Sequence, residues 1–388
     1  MAGVYLHIPF CKQACHYCNF HFSTSRSHKN DFILALLKEL ALRRQYLGAE
    51  TIETIYFGGG TPSLLDPAQL EQVLSAISQT LVLSPAAEIT LEANPDDISA
   101  LALQAWLGAG INRLSIGIQS FSQKDLSWMN RAHTAAQARD CITLAKEAGF
   151  SNINIDLIYG IPGMADGEWK GNLDLALSMG LPHFSCYALC VEPKTALAHQ
   201  IASHQVSAIS QDDQARQFML LMEWMEEAGY AHYEISNFAK PGSYSRHNTA
   251  YWQGKPYLGL GPSAHSYNGR SRQWNLASNP GYIQAINRGE LPFELETLTR
   301  VQVLNEYIMT SIRTLEGLDL SLVEKKFGEI AREWILLQSK SNLQTGRIVQ
   351  ENQRLLLGRE GKLWADGIAA SLFADEDLDI RVSGVFAF

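Results

Sequence analysis

Three thiols fall within eight residues near the start of the chain: Cys11, Cys15 and Cys18, at C-x3-C-x2-C spacing. Cysteines this close in a long chain with only six are metal ligands sooner than disulfide partners. A 4Fe-4S cubane has four irons, so three thiolates on one loop leave one iron open to a small molecule, which implies chemistry and not only electron storage. The same spacing admits a structural zinc ion completed by His7, His16 or His21, because three thiolates and one imidazole form a zinc set. Cys141, Cys186 and Cys190 read instead as packed thiols in helix and strand.

Other polar or flexible residues recur after apolar runs. Gly58, Gly59 and Gly60, followed by Thr61, form a turn where the missing Cβ atoms let a ligand approach the backbone. Glu92, Gln119, Arg131 and Asp156 stand near further run ends, where each alone reads as a cap or turn residue. Farther on, His247-Asn248-Thr249-Ala250-Tyr251-Trp252 sets an imidazole beside two aromatic rings, which by itself reads as a histidine hydrogen-bonded within a loop and rings covering the barrel, although an imidazole can ligate haem iron and flat rings can pack on a porphyrin. His265 is a second candidate near that site, and His232 reads as a strand-end residue.

The elements that must position these groups alternate. Short apolar runs at 4–8, 54–57, 88–92, 113–118, 152–158 and 183–189 predict strands. Stretches with 3.6-residue periodicity at 31–47, 67–80, 99–109, 134–148, 168–178 and 212–228 predict helices, with Gly48, Gly110, Gly149 and Gly229 as stops. Six β/α units predict an α/β fold with a parallel sheet, either a partial barrel or an open doubly wound sheet. In a barrel the cysteine loop, directly after the first strand, lies at the active end. Residues 241–275, rich in Gly, Ser, Asn and aromatics, read as a long functional loop. Helical patterns return at 300–315 and 319–339, and the tail 378–388 reads as a strand or two.

Lys plus Arg number 31 against 40 for Asp plus Glu, and the net charge of -9 argues against a nucleic-acid binder. The start has no basic segment followed by a long apolar run, and nowhere do 18 apolar residues follow one another, so a cytoplasmic protein without a transmembrane segment is expected.

C-x3-C-x2-C followed by an aromatic, with a glycine turn after the second strand, resembles the radical S-adenosylmethionine (SAM) superfamily. The order and separation of the polar strand ends are similar to its oxygen-independent coproporphyrinogen oxidase branch. That resemblance implies a 4Fe-4S cluster on Cys11, Cys15 and Cys18, and SAM held by Tyr5, Gly59, Gly60, Thr61, Glu92, Gln119, Arg131 and Asp156. It further implies a partial (β/α)6 radical SAM barrel over 1–240, an aromatic, Gly-rich haem-binding connection over 241–290, and a small, mainly helical HemN-like C-terminal domain over 291–388.

Two functions occur in that branch: a coproporphyrinogen III dehydrogenase that decarboxylates propionates, and HemW-type haem chaperones. The dehydrogenase's loop continues to a fourth cysteine where this chain has Phe20, and it begins well upstream of its loop, whereas here the first cysteine is residue 11. The H-N-x-x-Y-W signature matches the chaperones. The resemblance therefore implies haem b as cargo, His247 as axial ligand, and Asn248, Tyr251 and Trp252 at the porphyrin. It implies haem-accepting partners, some of them membrane-bound, and leaves room for a homodimer.

Overall fold

The computed structural model describes residues 2–376 and Leu378, so the strand expected over 378–388 lies, Leu378 apart, outside the described residues. Strands β1 (Ala2–Ile8), β2 (Ile52–Gly59), β3 (Leu83–Ala93), β4 (Arg113–Gln119), β5 (Ile153–Tyr159) and β6 (His183–Ala188) lie side by side in chain order, all parallel. They are separated by α1 (Lys29–Leu42), α2 (Pro67–Thr80), α3 (Ala100–Ala109), α4 (Gln123–Trp128), α5 (Ala135–Glu147) and α6 (Asp166–Ser178). The order never reverses, so there is no switch point of the doubly wound kind. The sheet also curves. Tyr56 on β2 lies within electrostatic reach of Asp156 on β5 and Tyr187 on β6, although four strand spacings in a flat sheet would separate β2 from β6 by roughly 19 Å. The partial barrel is the architecture.

Local sequence explains the elements. β1 is buried at six of its seven positions, as a strand covered on both faces must be. Asp66 and Gln69 form a capping box with Pro67 opening α2, and Thr134 and Gln137 do the same for α5. The predicted stops Gly48, Gly110, Gly149 and Gly229 all have positive φ, where a Cβ would be strained.

After β6 come α7 (Ala196–Ala202), α8 (Gln211–Glu227) and the antiparallel pair β7 (Ala231–Glu234) and β8 (Asn237–Ala239), with β8 beside β6. The segment 241–275, expected to be a long loop, is instead built of elements, α9 (Arg246–Trp252), β9 (Tyr257–Leu260), β10 (His265–Tyr267) and β11 (Ser271–Asn275), and is followed by α10 (Asn279–Asn287). β9 pairs parallel with β1 and becomes a seventh parallel strand. β10, β11 and β12 (Phe293–Thr297) extend the sheet beyond it, antiparallel. Within the described residues the sheet has twelve strands, with β12 and β7 at its edges.

A second core runs from Val301 to Ala374. It is built from α11 (Arg300–Ser311), β13 (Leu318–Asp319), α12 (Leu320–Phe327), α13 (Glu329–Gln344), β14 (Ile348–Glu351), β15 (Arg354–Leu357) and α14 (Ala365–Ser371). β12, within the region assigned to the C-terminal domain, belongs to the large sheet. No helix among the described residues is long and apolar enough to cross a membrane.

One buried carboxylate ties the added strands to the barrel. Glu39 of α1 is fully buried and accepts hydrogen bonds from the Gly261 N–H (2.8 Å), Asn275 Nδ2 (2.7 Å), the Tyr282 hydroxyl (2.7 Å) and Arg43 Nη1 (3.2 Å). Glu39→Ala leaves the buried Arg43 guanidinium without the carboxylate that pairs with it and takes the acceptor from three further donors, so it should cost about 3–5 kcal/mol. Glu39→Gln, which keeps one acceptor oxygen, should cost less. Urea denaturation followed by tryptophan fluorescence checks this, and an unchanged midpoint in Glu39→Ala would refute the node.

Candidate functional site

The three thiols follow β1 at the C-terminal end of the parallel strands. Their loop is docked on the turn after α4: the His16 N–H donates to the Met129 carbonyl oxygen (3.2 Å), His16 Nδ1 to the Trp128 carbonyl oxygen (2.9 Å), and Asn130 Nδ2 to the Ala14 carbonyl oxygen (2.7 Å). Lys12 is ion-paired with Asp96 (2.6 Å) and Asp97. Burial pushes the Cys11 thiol up to about 11, against the Thr61 hydroxyl, which favours the thiolate. Cys18 is raised for the same first reason. Metal ligation must therefore drive deprotonation, and loading releases protons.

A chain of donors joins two of the sulfurs. Arg131 Nη1 donates to Cys15 Sγ (3.3 Å) and Nη2 to Asn94 Oδ1 (2.8 Å); Asn94 Nδ2 donates to Thr61 Oγ1 (3.3 Å), which donates to Cys11 Sγ (3.5 Å). Arg131 Nε is buried without a partner. A buried guanidinium and hydroxyl aimed at thiol sulfurs suit an anionic iron–sulfur group, whose thiolates they stabilise. The zinc alternative finds no support in its candidate fourth ligands. His7 donates from Nε2 to the His21 carbonyl oxygen (2.8 Å) and accepts at Nδ1 from the Tyr5 hydroxyl (3.3 Å); His16 is held by Trp128, and His21 by Asn279 (2.8 Å). Among the described residues no three His, Cys, Asp or Glu side chains are grouped to hold a single metal ion.

The residues expected to hold SAM lie along the barrel interior and at this mouth. Gly60 makes room for the chain itself: a Cβ there would lie 2.7 Å from the Phe10 carbonyl oxygen and 2.8 Å from that of Ile8. Gly59, at φ 106°, faces the His7 ring. Gly58 is the glycine that opens the barrel interior, since a Cβ there would meet the Tyr5 and Tyr56 rings at 2.9 Å and Glu92 Oε1 at 3.1 Å. Glu92 accepts from the Tyr56 hydroxyl (2.9 Å); burial, and then the Asp156 charge, push its carboxyl up to about 7. Asp156, also raised by burial, accepts from Asn154 Nδ2 (2.9 Å). Gln119 ends β4 at φ 64°, where the register against β5 breaks. Gly117 gives Gln119 and Arg131 their space, and its carbonyl oxygen accepts from Arg131 Nη2 (2.8 Å). Asn94 and Gly117 were not singled out from the sequence, and Gly58 was read as part of the glycine turn without being assigned to SAM. Asn94 and Gly117 stand in the runs that carry Glu92 and Gln119, and that neighbourhood was the available signal.

The haem-signature residues lie at the other end. Glu88, buried on β3, accepts from the backbone N–H groups of Arg246 (3.2 Å) and His247 (3.1 Å), holding α9 across the N-terminal ends of β1 and β2. A Cβ on Gly3 would meet the His247 ring at 3.4 Å, so roughly 17 Å of strand separates the motif from the end of β1. His247 is buried. It shares hydrogen bonds with Thr54 Oγ1 through Nδ1 (2.8 Å) and with the Tyr251 hydroxyl through Nε2 (2.9 Å), and stacks on Tyr56 at 4.9 Å. Burial, then Arg113, push its pKa down to about 3, so the imidazole is neutral. Asn248, Tyr251 and Trp252 are partly exposed. His265 is exposed on β10 opposite Trp274, and Phe20, in the fourth-cysteine position, is 67% exposed.

A sequentially wound partial barrel with a three-thiol loop at its C-terminal mouth is a radical SAM architecture, and the chain matches the Radical SAM superfamily over residues 5–176 and the HemN C-terminal domain over 298–364. It is 36% identical to "Heme chaperone HemW" of Mycobacterium tuberculosis, over 95% of this chain and 94% of that protein. It is 32% identical to the protein of that name from Bacillus subtilis, over 97% and 100%. The chain belongs to the HemW haem-chaperone family. Its fold is also that of the Escherichia coli coproporphyrinogen III oxidase HemN, with a TM-score of 0.84 at 22% identity, covering 96% of this chain and 90% of that one.

Cys11→Ala, Cys15→Ala and Cys18→Ala should each purify with little iron and sulfide after anaerobic reconstitution, whereas Cys141→Ala and Cys186→Ala should retain both, at a packing cost of roughly 1 kcal/mol. Gly60→Ala should also lose cluster, because its Cβ displaces the backbone that carries Cys11; full iron and sulfide in that variant would contradict the packing. Glu92 makes a second prediction. Its folded pKa is raised from 4.5 to about 7, so the folded state holds this proton more tightly and stability falls as pH rises through that window. In denaturation midpoints measured across that range without SAM, Glu92→Gln should flatten the fall.

Proposed function

We propose that this chain is a haem carrier of the cytoplasm: it takes up haem b, holds a 4Fe-4S cluster and SAM at the opposite end of the same barrel, and passes haem to haem-dependent proteins, some of them membrane-bound. The observation that carries this reading is α9, which sets His247, Tyr251 and Trp252 of the H-N-x-x-Y-W signature together at the floor of the barrel. When bound, the cluster supplies an open iron able to hold SAM and deliver an electron. The residues fit it: Cys11, Cys15 and Cys18 as ligands, with Thr61 and Arg131 donating to two of their sulfurs. Tyr5, Gly59, Gly60, Glu92, Gln119 and Asp156 are assigned to SAM, in that same mouth.

At the floor, His247 offers haem iron a neutral imidazole, with Asn248, Tyr251 and Trp252 beside the porphyrin. Its Nε2 is shared with the Tyr251 hydroxyl, so ligation requires that hydroxyl to withdraw. The affinity for haem is thereby reduced by the hydrogen bond that is given up, a contribution of about 1 kcal/mol. A moderate grip suits a protein that must release its cargo.

Haem titrated into the reconstituted protein should give a shifted Soret band. In His247→Ala the band should revert toward that of loosely held haem, and transfer to an acceptor should fail. Tyr251→Phe keeps the ring and removes the competitor, so it should bind haem about fivefold more tightly. An unchanged spectrum in His247→Ala would remove that residue from the site. Multiple-turnover release of carbon dioxide from coproporphyrinogen by the reduced, SAM-loaded protein would instead make the chain a dehydrogenase.

A further inference from the structure

The barrel interior carries a continuous row of hydrogen bonds that neither the thiol loop nor the haem signature uses. It starts at Ser245, whose hydroxyl caps α9 by accepting from the Asn248 N–H (3.3 Å). The Ser245 N–H donates to the Tyr233 hydroxyl oxygen (3.4 Å), and that hydroxyl is bonded to His183 Nε2 (2.7 Å). His183 Nδ1 is bonded to Asn154 Oδ1 (2.6 Å), and Asn154 Nδ2 donates to Asp156 Oδ1 (2.9 Å). The other end of the Asn154 amide is also engaged, since its nitrogen donates to Ser115 Oγ (2.8 Å), so the amide cannot pivot freely. His183, the first residue of β6, stands opposite Asn154 of β5 in the sheet register. Tyr233, His183 and Asn154 are buried, whereas Asp156 is partly exposed and open to a ligand.

The chemistry of its members gives the row a single direction. A carboxylate only accepts, so Asn154 turns its amide nitrogen to Asp156 and its oxygen to His183. That oxygen also only accepts, so the imidazole carries its proton on Nδ1. Burial, and then the positive charge of Arg113, push the His183 pKa well below its ordinary value, so the ring has one proton and Nε2 is an acceptor. The Tyr233 hydroxyl must then donate to Nε2, while its oxygen takes the main-chain N–H of Ser245. Every donor points from the floor towards Asp156, and hydrogen bonds in such a row polarise one another. An apolar ring in place of His183 would fill the core equally well. A neutral imidazole does more, because it accepts on one side and donates on the other.

We propose that His183 is a positioning residue for SAM: through Asn154 it holds the Asp156 carboxylate in the orientation in which it accepts from a donor group of the ligand. The inference rests on the reading that assigns Asp156 to SAM, and adds to it the buried row behind that carboxylate. The row is anchored at its far end by a main-chain N–H, which cannot rotate as a side-chain donor can, so the direction reaching Asp156 is set by the fold.

The test is calorimetric titration of SAM into the reconstituted full chain. His183→Phe should weaken SAM binding about tenfold, the effect of one misdirected hydrogen bond to a charged group, and the milder Tyr233→Phe about threefold, with iron and sulfide unchanged in both. In an Asp156→Ala background, itself weaker, adding either substitution should change the affinity no further, because the row acts through that carboxylate. A packing role alone would add its full penalty in both backgrounds, and that additivity would overturn the proposal. Nitrogen-15 spectra of histidine-labelled protein give a reading independent of SAM. The His183 resonances, identified by their loss in His183→Phe or their shift in Tyr233→Phe, should show the proton on Nδ1, the less populated tautomer of free histidine. A proton on Nε2 would reverse the row and overturn the proposal. SAM affinity unaltered in both His183→Phe and Tyr233→Phe overturns the positioning role while leaving SAM binding intact, whereas wild-type protein that binds no SAM overturns the SAM assignment and the positioning role with it.

Discussion

Glu39 is a charged residue in the middle of an amphipathic helix, without solvent contact, and the geometry of the barrel depends on what it holds. Its two oxygens receive donors from the end of β9, from β11, from α10 and from Arg43 of its own helix. Arg43 in turn reaches the Gly259 carbonyl oxygen (3.2 Å) and Gln273. A carboxylate is removed from water at a cost of several kcal/mol, and that cost is met only when every lone pair is used in one geometry. The node is thus a specificity device. It admits β9 in one register beside β1, and β1 carries the thiol loop at one end and meets His247 at the other.

That placement gives β1 two neighbours, β2 and β9, and makes it an interior strand. Gly261, just past β9, approaches so closely that a Cβ would stand 2.6 Å from the His7 carbonyl oxygen. His7 is packed between that turn, Gly59 and Tyr5, and its neighbours leave it no charge: burial holds its pKa near 4. The loop that follows is then fixed from the opposite side by the turn at Met129 and Asn130. The donors that reach Cys11 and Cys15 come from just past β2 and from the turn after α4, and Asn94, just past β3, joins them, so the thiol environment is assembled from three separate β/α units. No one unit could form it alone, which is why the open iron of such a cluster belongs to a barrel mouth and not to a peptide loop.

The parts legible in the sequence were those governed by local physics. β1 to β6 read as apolar runs because parallel strands are buried on both faces, and the helix stops read correctly because a left-handed residue after a helix is most often glycine. The cysteine loop stood out because three closely spaced thiols are a short-range and chemically distinctive pattern. β9 was not legible: four residues, three of them Leu-Gly-Leu, give no periodicity, and its partner lies some two hundred and fifty residues earlier. Glu39 and Asn94 drew no reading, because a buried polar network leaves no mark at the spacing of a single element. For the haem signature the residue types were legible, but their position at the floor of the barrel was set by Glu88, a contact over more than a hundred and fifty residues.

The two ends of the barrel are not independent. From the floor, the His247 ring stacks on Tyr56 at 4.9 Å; Tyr56 stacks on Tyr5 at 6.1 Å; and the Tyr5 hydroxyl donates to His7, which adjoins the glycine turn. Tyr56 also donates to Glu92, and Gly58 leaves just the space these rings occupy. Interior side chains packed this closely have discrete arrangements, so a displacement at one end is accommodated by its neighbours and not absorbed continuously. His247 is held between the Tyr251 hydroxyl on Nε2 and Thr54 on Nδ1, with its ring stacked on Tyr56. The column of packed rings thus runs from floor to mouth, and Tyr56 touches both His247 and Glu92.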